Sequence, residues 1–232
     1  MSDIDRSSAI AILGGTGDQG LGLALRFAVA GRPVVIGSRK ADRAEQAATE
    51  VLSQVPGAEV AGFENADAAV RAEIVILSVP FEHTASTVKA IREVLVPGQI
   101  VVCMAVPLAA AIGGAPAHTL GIWQGSAAEL VASLVPDGVD VISAFQNVSA
   151  HRLQDLSEAV DCDIIVSGAK APRGRIIDLC GLIPDLRGVD GGPLANARIV
   201  ESMTALLIGI NRRHKLPEGA GIRITGLPDD PS

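Results

Sequence analysis

An α/β fold, with a mostly parallel sheet and helices on both faces, is what three features of this sequence predict. An apolar run over 10–13 breaks into glycines and resumes as a helical pattern over 21–30. Further short apolar runs, at 34–37, 59–63, 73–79, 100–104, 139–145 and 163–167, alternate with helical patterns, as parallel strands joined by right-handed crossovers require. After Gly168 the pattern turns mainly helical. The expected plan is therefore a domain over 1–168 and a smaller, mainly helical part over 169–232.

Composition sets the outer bounds. With 48% hydrophobic and 19% charged residues in 232, the chain can bury a full core and is not a disordered segment. A net charge of −7 argues against nucleic acid as a main partner, so any anionic ligand must be held by local basic groups. Cys103, Cys162 and Cys180 are odd in number and lack C-x-x-C spacing. They read as buried thiols of a reduced, cytoplasmic protein, with no zinc site. The first six residues are charged, without an apolar signal-type region. Residues 94–128 carry no formal charge, yet Gly113, Gly114, Pro107 and Pro116 interrupt them, which rejects a membrane span.

The elements follow in order. Gly15, Gly17 and Gly20 stand as G-x-G-x-x-G between the first strand and the first helix. In that setting the first glycine permits a tight turn, the second lets backbone approach a pyrophosphate, and the third lets helix and strand pack closely. The free amides and dipole of the helix N-terminus favour a diphosphate there. The second strand, over 34–37, ends at Ser38-Arg39, where an NAD site would place an acid for the ribose hydroxyls. The first acid is Asp42; Arg39 and Arg43, four apart, can share one phosphate, and Ser38 can add a hydroxyl. Ser38 as a plain cap of the helix over 41–55 is the competing reading; beside the glycine loop, NADP is preferred.

A third strand over 59–63 precedes a short helix that Asn65 can cap, and the strongly apolar strand over 73–79 ends at Pro80-Phe81-Glu82-His83. Ligands of open parallel sheets sit beyond the carboxyl ends of strands, so this end faces the site. Phe81 and Phe145 both fall at such ends, where core packing and a wall for a flat ring are equal readings. His83 serves either as a helix-start residue or as a proton donor, the former being favoured without a visible partner. After a helix over 84–95 and the strand over 100–104, the uncharged segment 105–125 reads as a loop over the crevice with Trp123 as its large ring. With Met104, it is the expected lining of an acceptor pocket. Ser126-Ala127-Ala128-Glu129 is a capping box opening the next helix. A helix over 170–180, a turn-rich joint over 188–193, a long helix over 195–211 and a short strand over 222–224 complete the chain.

Absences narrow the chemistry. Without any tyrosine the chain cannot use a Tyr-x-x-x-Lys arrangement, and it has no G-x-S-x-G, H-E-x-x-H or P-loop lysine. An NADP site with no evident strong acid or base fits hydride transfer between two organic cofactors, for which the protein supplies orientation and electrostatics.

The blocks 13–17, 22–26, Gly37-Ser38-Arg39, 80–83, 126–129 and 192–202, in order along nearly the whole chain, resemble the NADPH-dependent coenzyme F420 reductases, also called F420:NADP oxidoreductases. The resemblance implies hydride transfer between NADP(H) and the deazaflavin ring of F420, in a cleft between a Rossmann-type domain and the smaller C-terminal part of a homodimer. It implies that Thr16, Gly17, Asp18 and Gln19 hold the pyrophosphate and ribose, and that Thr16, Ser38, Arg39 and Arg43 hold the 2′-phosphate. Pro80, Phe81 and Ala144 would lie near the nicotinamide. Asp18 departs from the asparagine of some members. A related flavin or metal reductase and a non-catalytic NADP(H) sensor are the other classes this sequence admits. Basic residues Lys170, Arg173 and Arg175 open a helix against its dipole, which suggests either an internal acidic partner or the polyglutamate tail of F420.

Overall fold

A computed structural model describes residues 9–227, so the charged N-terminal segment read above lies outside the described residues. Eight strands form one sheet: β1 (Ile10–Leu13), β2 (Val34–Ser38), β3 (Val60–Glu64), β4 (Ile74–Leu77), β5 (Ile100–Cys103), β6 (Asp140–Ser143), β7 (Cys162–Gly168) and β8 (Leu186–Asp190). Their spatial order is β3-β2-β1-β4-β5-β6-β7-β8. All neighbours are parallel except β6 and β7, which pair antiparallel at Ile142 with Gly168 and Ser143 with Ser167.

The apolar strands are continuous rather than alternating because both faces are covered. Ile10, Ile12, Ile74, Ile76, Ile100 and Val102 face one core layer, while Ala11, Leu13, Val75, Leu77, Val101 and Cys103 face the other. Helices α1 (Asp18–Val29) and α2 (Ala41–Gln54) cover the first layer. Helices α3 (Asn65–Ala69), α4 (Phe81–Ile91) and α5 (Ala127–Ala132) cover the second. A short helix, α6 (Ala150–Gln154), and then α7 (Lys170–Cys180) and α8 (Ala197–His214) complete the set. No described helix is long and apolar enough to cross a membrane.

Several boundaries differ from the sequence reading for identifiable reasons. The turn-rich joint expected over 188–193 begins as the strand β8, whose backbone pairs with β7 although Gly188 is a poor strand former. The segment 222–224 is not a strand. It is tied to β7 by one backbone bond, Asp163 N to the Ile222 carbonyl, and by the Asp163 carboxylate, which accepts from Ile224 N. Asn65 is the first residue of α3 and makes no capping bond; its cap position is Glu64. Helix α4 starts at Phe81, so His83 sits inside its first turn.

Buried Arg26 of α1 donates to the carbonyls of Arg152, Leu153, Asp155 and Glu158, fastening α6 and the turn after it onto α1. Gly22 permits this approach, since a Cβ there would stand 2.6 Å from Leu153 Cβ. The segment following β6 is thereby pinned along α1.

Candidate functional site

The strand order reverses between β1 and β4, and the glycine turn leaves β1 at that point. The residue that demands glycine is Gly14: its φ is +82°, and a Cβ would lie 2.5 Å from the Ser78 carbonyl oxygen. Gly15, to which the sequence reading assigned the turn, packs against Ile12, and Gly20 packs on Gly15 with a hypothetical Cβ 2.7 Å from its Cα. Gly17 differs. A Cβ there would meet nothing closer than 3.5 Å, so its missing side chain leaves room above the start of α1. That start has no side-chain cap, which leaves the first amides of the helix available to an anion.

Two cavities meet on Gly17, Ser78, Val79 and Pro80. The larger, about 550 Å³, runs from Thr16 toward the end of β2 and is lined there by Ser38, Arg39, Lys40 and Arg43. None of its lining residues is acidic. Ser38 is buried, its hydroxyl 3.5 Å from Lys40 N. Arg39, Lys40 and Arg43 are exposed and form no ion pair among the described residues. Asp42, the nearest acid in sequence, is engaged by Arg43 N at 2.8 Å. Lys40 and Asn65 line this cavity without having been read as site residues; Lys40 adjoins Ser38-Arg39 and was readable, whereas Asn65, read only as a helix cap, arrives from the end of β3. His83 lines this cavity and not the other.

The smaller cavity, about 350 Å³, continues over Phe81, Met104, Ala105, Val106 and Leu108. Asp18 and Gln19 border it, and neither lines the larger cavity. Of the uncharged loop, only 105, 106 and 108 line it. The rest folds on itself through a bridge between Leu108 and Thr119, and Trp123 is 98% exposed.

Gln146 and Thr204 close the far side. Gln146 Nε2 donates to the Cys103 carbonyl at 3.0 Å and to Ser143 Oγ at 2.7 Å, and Thr204 Oγ1 donates to the Gln146 carbonyl at 3.0 Å. Gln19 Nε2 donates to the carbonyls of Phe145 and Val148, joining the glycine turn to the same loop.

Gly15, Gly20 and Ala144 line neither cavity, and Ala144 is fully buried. Phe145 is a core residue, not a ring wall. It is fully buried, edge-on to Phe27 at 6.4 Å, with φ of 68°. That left-handed backbone turns Phe145 into the core while its neighbour Gln146 lines the cavity. Phe81 does line the cavity, at the first position of α4.

Of the basic segment opening α7, Arg173 and Arg175 are internally paired. Arg173 bonds Asp190 at 2.8 Å and the Gly168 and Gly192 carbonyls, and Arg175 bonds Glu73 at 2.7 Å. Among the described residues no three His, Cys, Asp or Glu side chains cluster as metal ligands.

A family model described as NADP oxidoreductase coenzyme F420-dependent matches residues 9–107, which carry the glycine turn, the basic cluster and the first half of the smaller cavity. The F420-dependent NADP reductase of Methanothermobacter thermautotrophicus is 44% identical over 225 residues, covering 95% of this chain and 96% of that one. A crystal structure of a protein from Arthrobacter sp. FB24 superposes with a TM-score of 0.76 at 23% identity, over 94% of this chain and all of that one, and shows the shared fold. The F420-dependent NADP reductase of Methanocaldococcus jannaschii is 48% identical over 223 residues, 94% of this chain and 98% of that one. With likeness of that degree over nearly its whole length, the chain belongs to the family of F420-dependent NADP reductases.

Proposed function

We propose that this protein transfers a hydride reversibly between NADP(H) and the deazaflavin coenzyme F420. The observation that carries the reading is the junction of a cation-lined cavity with a mainly apolar one at Gly17, Ser78, Val79 and Pro80. A dinucleotide laid across that junction has its adenosine end among Ser38, Arg39, Lys40 and Arg43 and its pyrophosphate at the start of α1. Its nicotinamide end is then beside Pro80 and Phe81, with the acceptor over Met104, Ala105 and Val106.

When bound, the two coenzymes supply the donor and acceptor carbons. The chain's residues bind, orient and exclude water. Gly17 lets the pyrophosphate approach backbone amides, the arginines neutralise the 2′-phosphate with charge-assisted bonds, and the apolar strand ends hold two rings face to face. A titrating side chain is not needed, because the hydride moves directly and the remaining proton exchanges with solvent.

Gln19, Asp18 and Thr16 complete the nucleotide side of this reading; Gly15 and Gly20 support it by packing alone. Residues 1–168 supply the nucleotide cavity, and 169–232 act as the part that closes the acceptor cleft through Thr204, sharing the sheet rather than folding apart. The protein acts in the cytoplasm as a homodimer; the apolar side chains of Ile199 and Leu206 exposed on α8 suit such an interface. The test is spectrophotometric: reduced F420 with NADP should give NADPH at a rate proportional to enzyme. Reduction of FMN without oxidation of reduced F420 assigns a flavin reductase instead, and nucleotide binding without turnover assigns a sensor.

A further inference from the structure

Glu201 is a carboxylate with 2% exposure in the second turn of α8, and neither cavity uses it. Its Oε2 accepts from Ala127 N at 2.8 Å and its Oε1 from Ala128 N at 3.2 Å, so it grips the two amides that open α5. The third amide, Glu129 N, is taken by Ser126 Oγ at 3.0 Å. Ser126 directly follows the loop whose beginning lines the smaller cavity, and α8 presents Thr204 to that cavity, one helical turn beyond Glu201.

We propose that Glu201 is a positioning residue for the acceptor cavity. By fixing α8 against α5, it sets the place of Thr204, whose hydroxyl holds the Gln146 carbonyl and walls the cavity. Two charge-assisted bonds from successive amides constrain both the height and the rotation of α8, which an apolar contact at this position does not do. The inference rests on reading the 350 Å³ cavity as the acceptor site.

The groups facing Glu201 are few. From α5 comes Glu129, itself paired with Arg198 of α8 at 3.1 Å, and from β5 comes the buried Cys103 thiol, which burial and then the Glu201 charge push far up, leaving it neutral. Burial raises the Glu201 carboxyl to about 7 against the lowering effect of the two amide bonds, and Glu129 adds to the rise. Protonation below that value removes one acceptor, so the grip is firm above it and weakened below.

The test uses the full chain as wild type, Glu201→Gln, Thr204→Val and the double variant. It reads the KM for reduced F420, the Kd for NADPH and the thermal midpoint. Glu201→Gln keeps the volume but turns an amide donor toward a backbone donor. It should raise the KM for reduced F420 about ten-fold, the worth of one bond to a charged group, while the Kd for NADPH moves less than about two-fold. Because Glu201 acts through Thr204, the double variant should be no worse than the worse single variant.

An unchanged KM, a parallel rise in NADPH Kd, or additive effects in the double variant would overturn the proposal. Should Glu201→Gln fail to fold, wild type and Thr204→Val are compared between pH 6 and 8. The KM for reduced F420 should fall as pH rises through about 7 in wild type, and this step should shrink in Thr204→Val. An equal step in both belongs to the substrate and refutes the role of Glu201. A wild type that binds NADPH but neither binds nor oxidises reduced F420 overturns the assignment of the acceptor, and the positioning role falls with it. Normal wild-type turnover with a silent Glu201→Gln overturns the positioning role alone.

Discussion

The two cavities share four residues yet are built in opposite ways. The basic one draws mainly on short runs of the chain: the turn after β1, the end of β2 with Arg39, Lys40 and Arg43 beyond it, and Ser78 to Pro80 leading into α4. The apolar one is assembled from the ends of β1, β4 and β5, the loop after β6, and α8, with Gln19 and Thr204 far apart in sequence. A binding site made of local motifs tolerates change elsewhere in the chain, whereas one made of remote segments depends on every tie that holds those segments together.

The largest expected effect comes from Gly14→Ala, which puts a Cβ 2.5 Å from the Ser78 carbonyl at a φ of +82°. The turn sits between both cavities, so the variant should lose about 3 kcal/mol of stability and bind neither coenzyme measurably. Denaturant unfolding and NADPH titration check it; a variant that binds NADPH normally would show that the turn does not organise the basic cavity. Arg39→Ala follows, expected to raise the KM for NADP by roughly ten- to a hundred-fold, from a bond of about 1.5 to 3 kcal/mol, while leaving that for NAD nearly unchanged. Equal rises for both nucleotides would remove the 2′-phosphate from this cluster.

A third prediction strikes the other side. Fully buried Asp163 pairs with Arg187 and Arg223 at 2.8 Å and accepts from Ile224 N, while its backbone carbonyl takes a bond from Asn147, the neighbour of Gln146. Burial alone would raise this carboxyl, but the bonds from Arg187, Ile224 N and Arg223 outweigh burial and hold it at about 2. Because the folded value lies below the ordinary 3.8, its stabilisation is fully present above 3.8 and is lost as pH falls toward 2. The loss is about 2 kcal/mol. Hydrogen exchange should then rise at low pH in 162–190 before it rises in β1 and β2; simultaneous loss would mean that the two halves melt as one. The smallest effect is reserved for His83→Gln. Because His83 lines the basic cavity, the substitution should change the KM for NADP by a few-fold and kcat by far less than the roughly 100-fold usual for loss of a general acid or base.

These differences match what could be read in advance. The glycine turn, Ser38 and the arginines lie within one strand–turn–helix–strand unit, whose motif spacing reflects backbone geometry directly. Lys40 was overlooked beside them. Gln146 and Thr204 carry no local signature: a glutamine after an apolar strand and a threonine on a mainly apolar helix look the same whether or not they meet. Ala144 and Phe145 stood at the right strand end but face the core, because the backbone at Phe145 is left-handed.

The sequence by itself determined the alternation of apolar strands and amphipathic helices, hence the doubly covered sheet. It also determined the glycine turn and the cationic end of the larger cavity. Each depends on contacts within about one strand–helix unit. Tertiary structure alone decided that β7 runs antiparallel to β6, that β8 extends the sheet, and that Arg173 and Arg175 pair with Asp190 and Glu73. It alone brought Gln146 and Thr204 to one cavity under the hold of a buried carboxylate. Such pairings join residues whose proximity is set by the packing of the whole sheet, and periodicity along the chain carries no record of it.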